Sequence, residues 1–173
     1  MKKRLLFLLP LFLGACSKSG ESPVITIERL YVDIEQDTNT ENGIDENANK
    51  ENYANRIEDL PALKVGDKVD AFLSLDGKGA ELKTFKLQND EEVSTKLLYE
   101  KGEVSTEGNL TDEDKGQLRF KDGVTSARIL VHATVDHVDK NGNVKLSFYL
   151  SSKAECDGAQ EVIDLKTKRQ ESN

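Results

Sequence analysis

Residues 69–75 read Val-Asp-Ala-Phe-Leu-Ser-Leu, so that Val69, Ala71, Leu73 and Leu75 alternate with Asp70, Phe72 and Ser74. A period of two predicts a β-strand with one buried face, because successive side chains leave opposite sides of the pleat. Asp76-Gly77-Lys78-Gly79 supplies turn chemistry, and the stretch through Leu82 to Leu87 reads as a returning strand. A four-residue loop closing there pairs Leu75 with Ala80 and Leu73 with Leu82, which predicts a hairpin with a shared apolar face. Phe72, Phe85 and Leu87 fall on the other side of that hairpin and predict apolar cover there too.

Ser126 to Ser152 repeats the pattern around Asn141-Gly142, the dipeptide with the strongest short-range hairpin preference. With those two residues at the tip, Val135 pairs with Phe148, Ala133 with Leu150 and His137 with Leu146. His132 then lies opposite Ser151, and Asp136 opposite Ser147, on a polar face. A one-residue slip would send every apolar partner to solvent, so the register of this hairpin is well specified.

Val24 to Glu35, VITIERLYVDIE, is rich in β-branched residues and predicts a strand with an irregularity near Glu28, where the alternation changes phase. Val93 to Tyr99 predicts a short strand, and Leu118 with Phe120 another. Between them runs a polar connection over 101–115, in which Thr111 to Asp114 can cap one helical turn. Gln160 to Leu165 predicts a last strand. The body is therefore a single domain over 24–165, with an acidic loop at 36–52 and a flexible tail at 166–173.

About six to eight strands with Gly, Asn and Asp turns predict an all-β fold, an antiparallel β-sandwich; the alternative is a small open β-barrel closed by the same strands. The stretches LKVGDKV and DKNGNVKLSFYL resemble those of immunoglobulin-like domains in bacterial surface proteins. That resemblance implies an immunoglobulin-like sandwich and carries over no functional site.

The N-terminus follows a different logic. Met1-Lys2-Lys3-Arg4 is basic, Leu5 to Leu13 is apolar, and Gly14-Ala15 are small residues before Cys16. Basic start, apolar run and small residues make an export signal. The run from Leu5 to Leu13 reaches roughly 14 Å as a helix, short of a bilayer core of about 30 Å, so it is no lasting span. These residues resemble the lipobox of bacterial lipoproteins. The resemblance implies a signal peptide over 1–15, cleavage between Ala15 and Cys16, and a diacylglyceryl thioether on Cys16, usually with an added N-acyl chain. Several chains at about 0.8 kcal/mol per buried methylene anchor a protein firmly, where one would be marginal. Ser17 resembles the outer-membrane sorting context of Gram-negative lipoproteins, and residues 16–23 read as a lipidated tether. The alternative is an ordinary secretory signal followed by an incidental cysteine.

Charge narrows the partners. The first fifteen residues hold three of the 24 basic residues and no acidic one, so the 158 that follow carry 21 basic against 32 acidic, a net of −11. Such a chain repels phosphate backbones, which argues against nucleic acid as a partner.

Candidate chemistry is sparse. His132 and His137 are five apart, an odd separation that sends their side chains to opposite faces of one strand, so they cannot share a metal. Asp37, Asn39, Glu41 and Asp45 offer oxygen ligands for calcium, but Asn42 stands where an EF-hand needs glycine and Ala48 where it needs glutamate. With Cys16 acylated, Cys156 has no partner within the chain; Glu155 and Asp157 beside it disfavour a thiolate. Hydrolase elbows, zinc-binding helices and phosphate loops are missing from the sequence. For glycan recognition the chain lacks tryptophan, leaving Tyr31, Tyr53, Tyr99 and an outward Tyr149 to consider.

The reading is therefore a membrane-anchored envelope lipoprotein, not an enzyme, without a cofactor, acting as a binding or assembly module at the outer membrane. It resembles the small uncharacterised lipoproteins of gut bacteria, and its protein or glycan partner is unknown. The alternatives are a calcium-dependent or glycan-binding adhesion component and a hydrolase with an unrecognised site.

Overall fold

A computed structural model describes residues 20–33, 51–108, 110–138 and 142–168. The described strands are β1 (Val24–Asp33), β2 (Lys68–Asp76), β3 (Leu82–Asn89), β4 (Val93–Tyr99), β5 (Gln117–Arg119), β6 (Ser126–Val135), β7 (Asn143–Ser152) and β8 (Ala159–Lys166). They form two four-stranded antiparallel sheets, β1-β2-β6-β4 and β5-β3-β7-β8, packed as a sandwich. The strands do not close into the small open barrel that was the alternative.

With β5 set aside, the remaining seven strands in chain order take the A-B-E-D and C-F-G positions of a constant-type immunoglobulin sandwich. The short β5 is an insertion between the fourth and fifth of these, and it lies on the outer edge of β3.

Both predicted hairpins are corrected by this topology. β2 pairs with β1 and β6, while β3 pairs with β5 and β7, so Leu75 does not pair with Ala80 nor Leu73 with Leu82. Likewise β6 pairs with β2 and β4 but β7 with β3 and β8, so Val135, Ala133 and His137 are not beside Phe148, Leu150 and Leu146. The alternating pattern specifies which face of a strand is buried and leaves open where the partner face lies. A hairpin sets two apolar faces side by side in one layer, whereas an arch between sheets sets them against each other and covers both. The connection from β2 to β3 is held for the arch: Gly77 N–H donates to the Thr125 carbonyl at 2.8 Å, and Leu82 N–H to that of Val124 at 2.7 Å.

The inward positions are otherwise as the alternation requires. Val69, Ala71, Leu73 and Leu75 of β2, Ala127, Ile129, Val131, Ala133 and Val135 of β6, and Val144, Leu146, Phe148 and Leu150 of β7 are all buried in one core. The bulge expected near Glu28 is present: pairing with β2 shifts between Ile27 and Arg29, so Ile25 is buried before it and Leu30 after it. A second bulge, between Leu82 and Thr84, was not anticipated. Lys83 is the extra residue there, and it brings Leu82, Phe85 and Leu87 onto the inner face together. Phe85 and Leu87 are thus core residues rather than outward cover. The Phe85 ring stacks on Phe148, with centroids 6.3 Å apart.

The turn read at 111–114 is a 3-10 helix, Glu113–Lys115, whose Lys115 N–H donates to the Asp112 carboxylate at 3.2 Å. Past the end of β8, Thr167 is buried and bridges Leu63, with Leu63 N–H donating to the Lys166 carbonyl at 2.8 Å and Lys168 N–H to that of Leu63 at 2.7 Å. Pairing therefore continues beyond Leu165.

Candidate binding face

The outer face of the β1-β2-β6-β4 sheet carries a row that the register sets straight across all four strands: Arg29 beside Phe72, Phe72 beside Leu130, and Leu130 beside Leu98. Each belongs to the outward parity of its strand, since its neighbours Leu30, Ala71, Leu73, Ile129, Val131 and Leu97 are buried. Phe72 and Leu130 are half-buried, and Leu98 is 43% exposed. The Arg29 guanidinium sits over the Phe72 ring, 4.3 Å from its centroid, and Tyr31 meets the same ring edge-on at 6.0 Å and 83°. The next row runs Tyr31, Asp70, His132, Lys96, and within it the His132 Nδ1 is hydrogen-bonded to the Asp70 carboxylate. The apolar stripe thus has a stacked cation at its β1 end and a hydrogen-bonded acid–imidazole pair along one side.

Toward the Gly77 end of that face, an open depression of about 350 Å³ is lined by Ser74, Glu100, Glu103, Ser126, Ala127 and Arg128. The opposite outer face differs. There Tyr149 does point outward, as its parity predicted, into a shallow depression of about 380 Å³ with Thr84, Lys86, Ser151 and Gln160. Thr84 and Ser151 share a hydrogen bond of 2.7 Å between hydroxyls, and Gln160 Nε2 donates to the Tyr149 hydroxyl at 3.4 Å. This face is mostly polar, with one ring and one exposed aliphatic side chain, Val162.

The other tyrosines are half-buried and tied down. The Tyr99 hydroxyl donates to the Glu113 carboxylate, and burial followed by that bond pushes its pKa up to about 12. Tyr53 donates to Glu51 at 2.9 Å, which raises its own pKa and, with Arg56, lowers that of Glu51.

His132 is on the outer face beside Asp70, not opposite Ser151. His137 lies past the end of β6 in a turn, where its N–H and that of Asp136 donate to the Glu92 carbonyl at 3.1 and 2.8 Å. The structure does not bring the two imidazoles together on one strand. Cys156 is a partly exposed free thiol in the β7–β8 connection, 3.6 Å from the Ser152 hydroxyl and donating to the Glu21 carbonyl at 3.4 Å. Among the described residues no group of three or more His, Cys, Asp or Glu is placed to hold a metal. Ala15 and Cys16, and the calcium candidates Asp37, Asn39, Glu41 and Asp45, lie outside the described residues.

Sequence reasoning had Phe72 facing outward but did not join it to Arg29, Leu130 and Leu98. Three large apolar side chains at outward parity on separate strands were the available signal. Only the sheet order makes them neighbours.

Fold and face together define a β-sandwich domain. The chain belongs to the family described as "Domain of unknown function (DUF5035)", whose match spans residues 16–167. A comparison with curated proteins finds no match.

Proposed function

We propose that this chain is a lipid-anchored envelope lipoprotein of the outer membrane, and that its sandwich is a non-enzymatic binding module whose recognition face is the outer side of β1-β2-β6-β4. The observation that carries the binding role is the row Arg29, Phe72, Leu130, Leu98. Aromatic residues and arginine over an apolar centre, with polar groups at the margin, are the composition of a protein-recognition surface. The anchor rests on the Met1–Cys16 pattern, and the start of the family match at residue 16 supports taking Cys16 as the first residue of the mature chain.

A non-catalytic role is favoured by what surrounds the reactive side chains. The Cys156 thiol has backbone carbonyls and a serine hydroxyl beside it, none of which is a general base. Glu100 and Glu103 line an open depression rather than an enclosed pocket that would exclude water from a reaction. Against a glycan platform, Arg29 covers one face of Phe72 and Tyr31 stands perpendicular to it, so the two rings do not offer a flat surface for a sugar.

The test is photo-crosslinking in intact cells from a benzoylphenylalanine at position 98 or at position 149. The reading expects a discrete protein adduct from position 98 and none from 149. Adducts only from 149, or glycan adducts from either, would move recognition to the other sheet or to a sugar.

A further inference from the structure

The segment that leads into β1 does not hang free. A Cβ placed on Gly20 would lie 2.4 Å from the Ala154 Cβ, so the backbone of Gly20 is pressed against the β7–β8 connection at a distance only glycine allows. One residue on, the Glu21 carbonyl accepts the Cys156 thiol from the same connection at 3.4 Å. Pro23 is buried, and Val24 then enters the sheet opposite Asp76. Three residues separate Cys16 from Gly20, and four Cα steps at full stretch span about 14 Å.

The ground this segment rests on is itself braced. Lys153 N–H donates to the Glu81 carbonyl at 2.8 Å, and its ammonium bridges the Glu81 and Asp122 carboxylates at 2.5 and 2.6 Å. The β2–β3, β5–β6 and β7–β8 connections are thus linked at one end of the sandwich. Turns at the opposite end, such as Asn89 to Glu92, lie roughly 30 Å away along the ten residues of β1, at about 3.3 Å per residue.

We propose that this braced end, centred on the β7–β8 connection, faces the lipid surface, and that docking of Gly20–Pro23 fixes the orientation of the body on the membrane. This rests on the lipoprotein reading for the anchor. The chain's own contacts then make the tether shorter than the 16–23 segment read from sequence, leaving only 17–19 between the acylated residue and the docked backbone. The end itself carries Glu81, Asp122, Glu155 and Asp157 against Lys78, Lys121 and Lys153, a mixture with no basic excess. Orientation therefore comes from the covalent geometry and not from attraction to anionic headgroups.

The test uses the lipidated protein purified from membranes, in a Cys156→Ser background, with a donor dye on either Glu155→Cys or Glu91→Cys, both exposed positions. The protein is reconstituted in phosphatidylethanolamine–phosphatidylglycerol vesicles containing an acceptor-labelled lipid. Energy transfer is expected to be several-fold higher from position 155 than from 91, and unchanged by salt. A Gly20→Val variant, which cannot seat on Ala154, should lose most of that difference while keeping its circular dichroism. Equal transfer from both positions, or the reverse order, overturns the proposal. A second readout separates it from the anchor. In soluble chain starting at Cys16 with Cys156→Ser, a nitroxide on Cys16 should broaden the amides of Lys153–Gly158 and spare those of Asn89–Glu92. Broadening there with no acyl mass on native Cys16 would sink the lipoprotein reading and keep the docking; uniform broadening would sink the docking.

Discussion

Phe72 and Phe85 belong to neighbouring strands in the chain and have opposite fates. Phe85 is fully buried, stacked on Phe148 between the sheets, while Phe72 lies on the outside of β1-β2-β6-β4 under the Arg29 guanidinium. The inner ring is packed within the buried apolar core, and the outer ring is left half in water. Burial explains the first completely. The second, aligned with Leu130 and Leu98, is surface that folding alone does not require, and on the proposed reading it is where a partner docks.

Substitution separates the two regions most sharply. Phe85→Ala should cost about 3–5 kcal/mol, because the removed ring leaves a cavity between two rigid sheets. Chemical denaturation followed by fluorescence or circular dichroism measures it. A loss under about 1 kcal/mol would mean that the core is not packed as described. Asp67 is a buried acid whose Oδ2 accepts the Lys64 N–H at 2.8 Å in the turn before β2, and Asp67→Ala should cost about 1–3 kcal/mol by stranding that donor. Arg29→Glu on the outer row should change stability by no more than about 1 kcal/mol yet abolish the crosslink from position 98. A destabilisation as large as that of Phe85→Ala would erase the distinction between inner and outer rings.

Much of this was legible in the sequence because inward and outward parity is a local property. Val69 to Leu75, Val93 to Tyr99 and the break at Glu28 needed only the alternation of neighbours. Pairing partners are a property of the whole chain, so the predicted hairpins at Gly77 and Gly142 became arches between sheets. Phe85 was placed on the wrong side for a more specific reason: Lys83 adds one residue to β3, and a count by twos cannot detect a bulge that the partner strand defines. The outer row was invisible for the first reason, since its members come from four strands that become neighbours only in the folded sheet.

Two smaller effects test the electrostatics outside the core. Tyr99 is neutral when folded up to a pKa of about 12, above its ordinary value of 10.0, because burial and the Glu113 bond disfavour the phenolate. Its contribution to stability is present below the ordinary value and is lost as pH rises from there through the folded value. Tyrosine absorbance should show Tyr99 ionising latest of the rings, beyond the upward shift of Tyr53, and Tyr99→Phe should remove that last step. The carboxyl groups of Glu81 and Asp122 are shifted the other way, lowered by Lys153, so their contribution is present above the ordinary carboxylate values and is lost as pH falls through the folded ones. Asp122 is exposed and Glu81 partly so, and water screens both pairs, so Lys153→Ala should lower Tm only slightly near neutrality and still less in acid. Calcium added to protein treated with a chelator should leave Tm unchanged, and a rise would move the reading toward a calcium-dependent adhesion component.

The most direct measurement is the intact mass of the N-terminal peptide from protein extracted from its native envelope. The account predicts a chain that starts at Cys16 and carries acyl groups on that sulfur. A bare Cys16, or a peptide that still contains Met1 to Ala15, would contradict it.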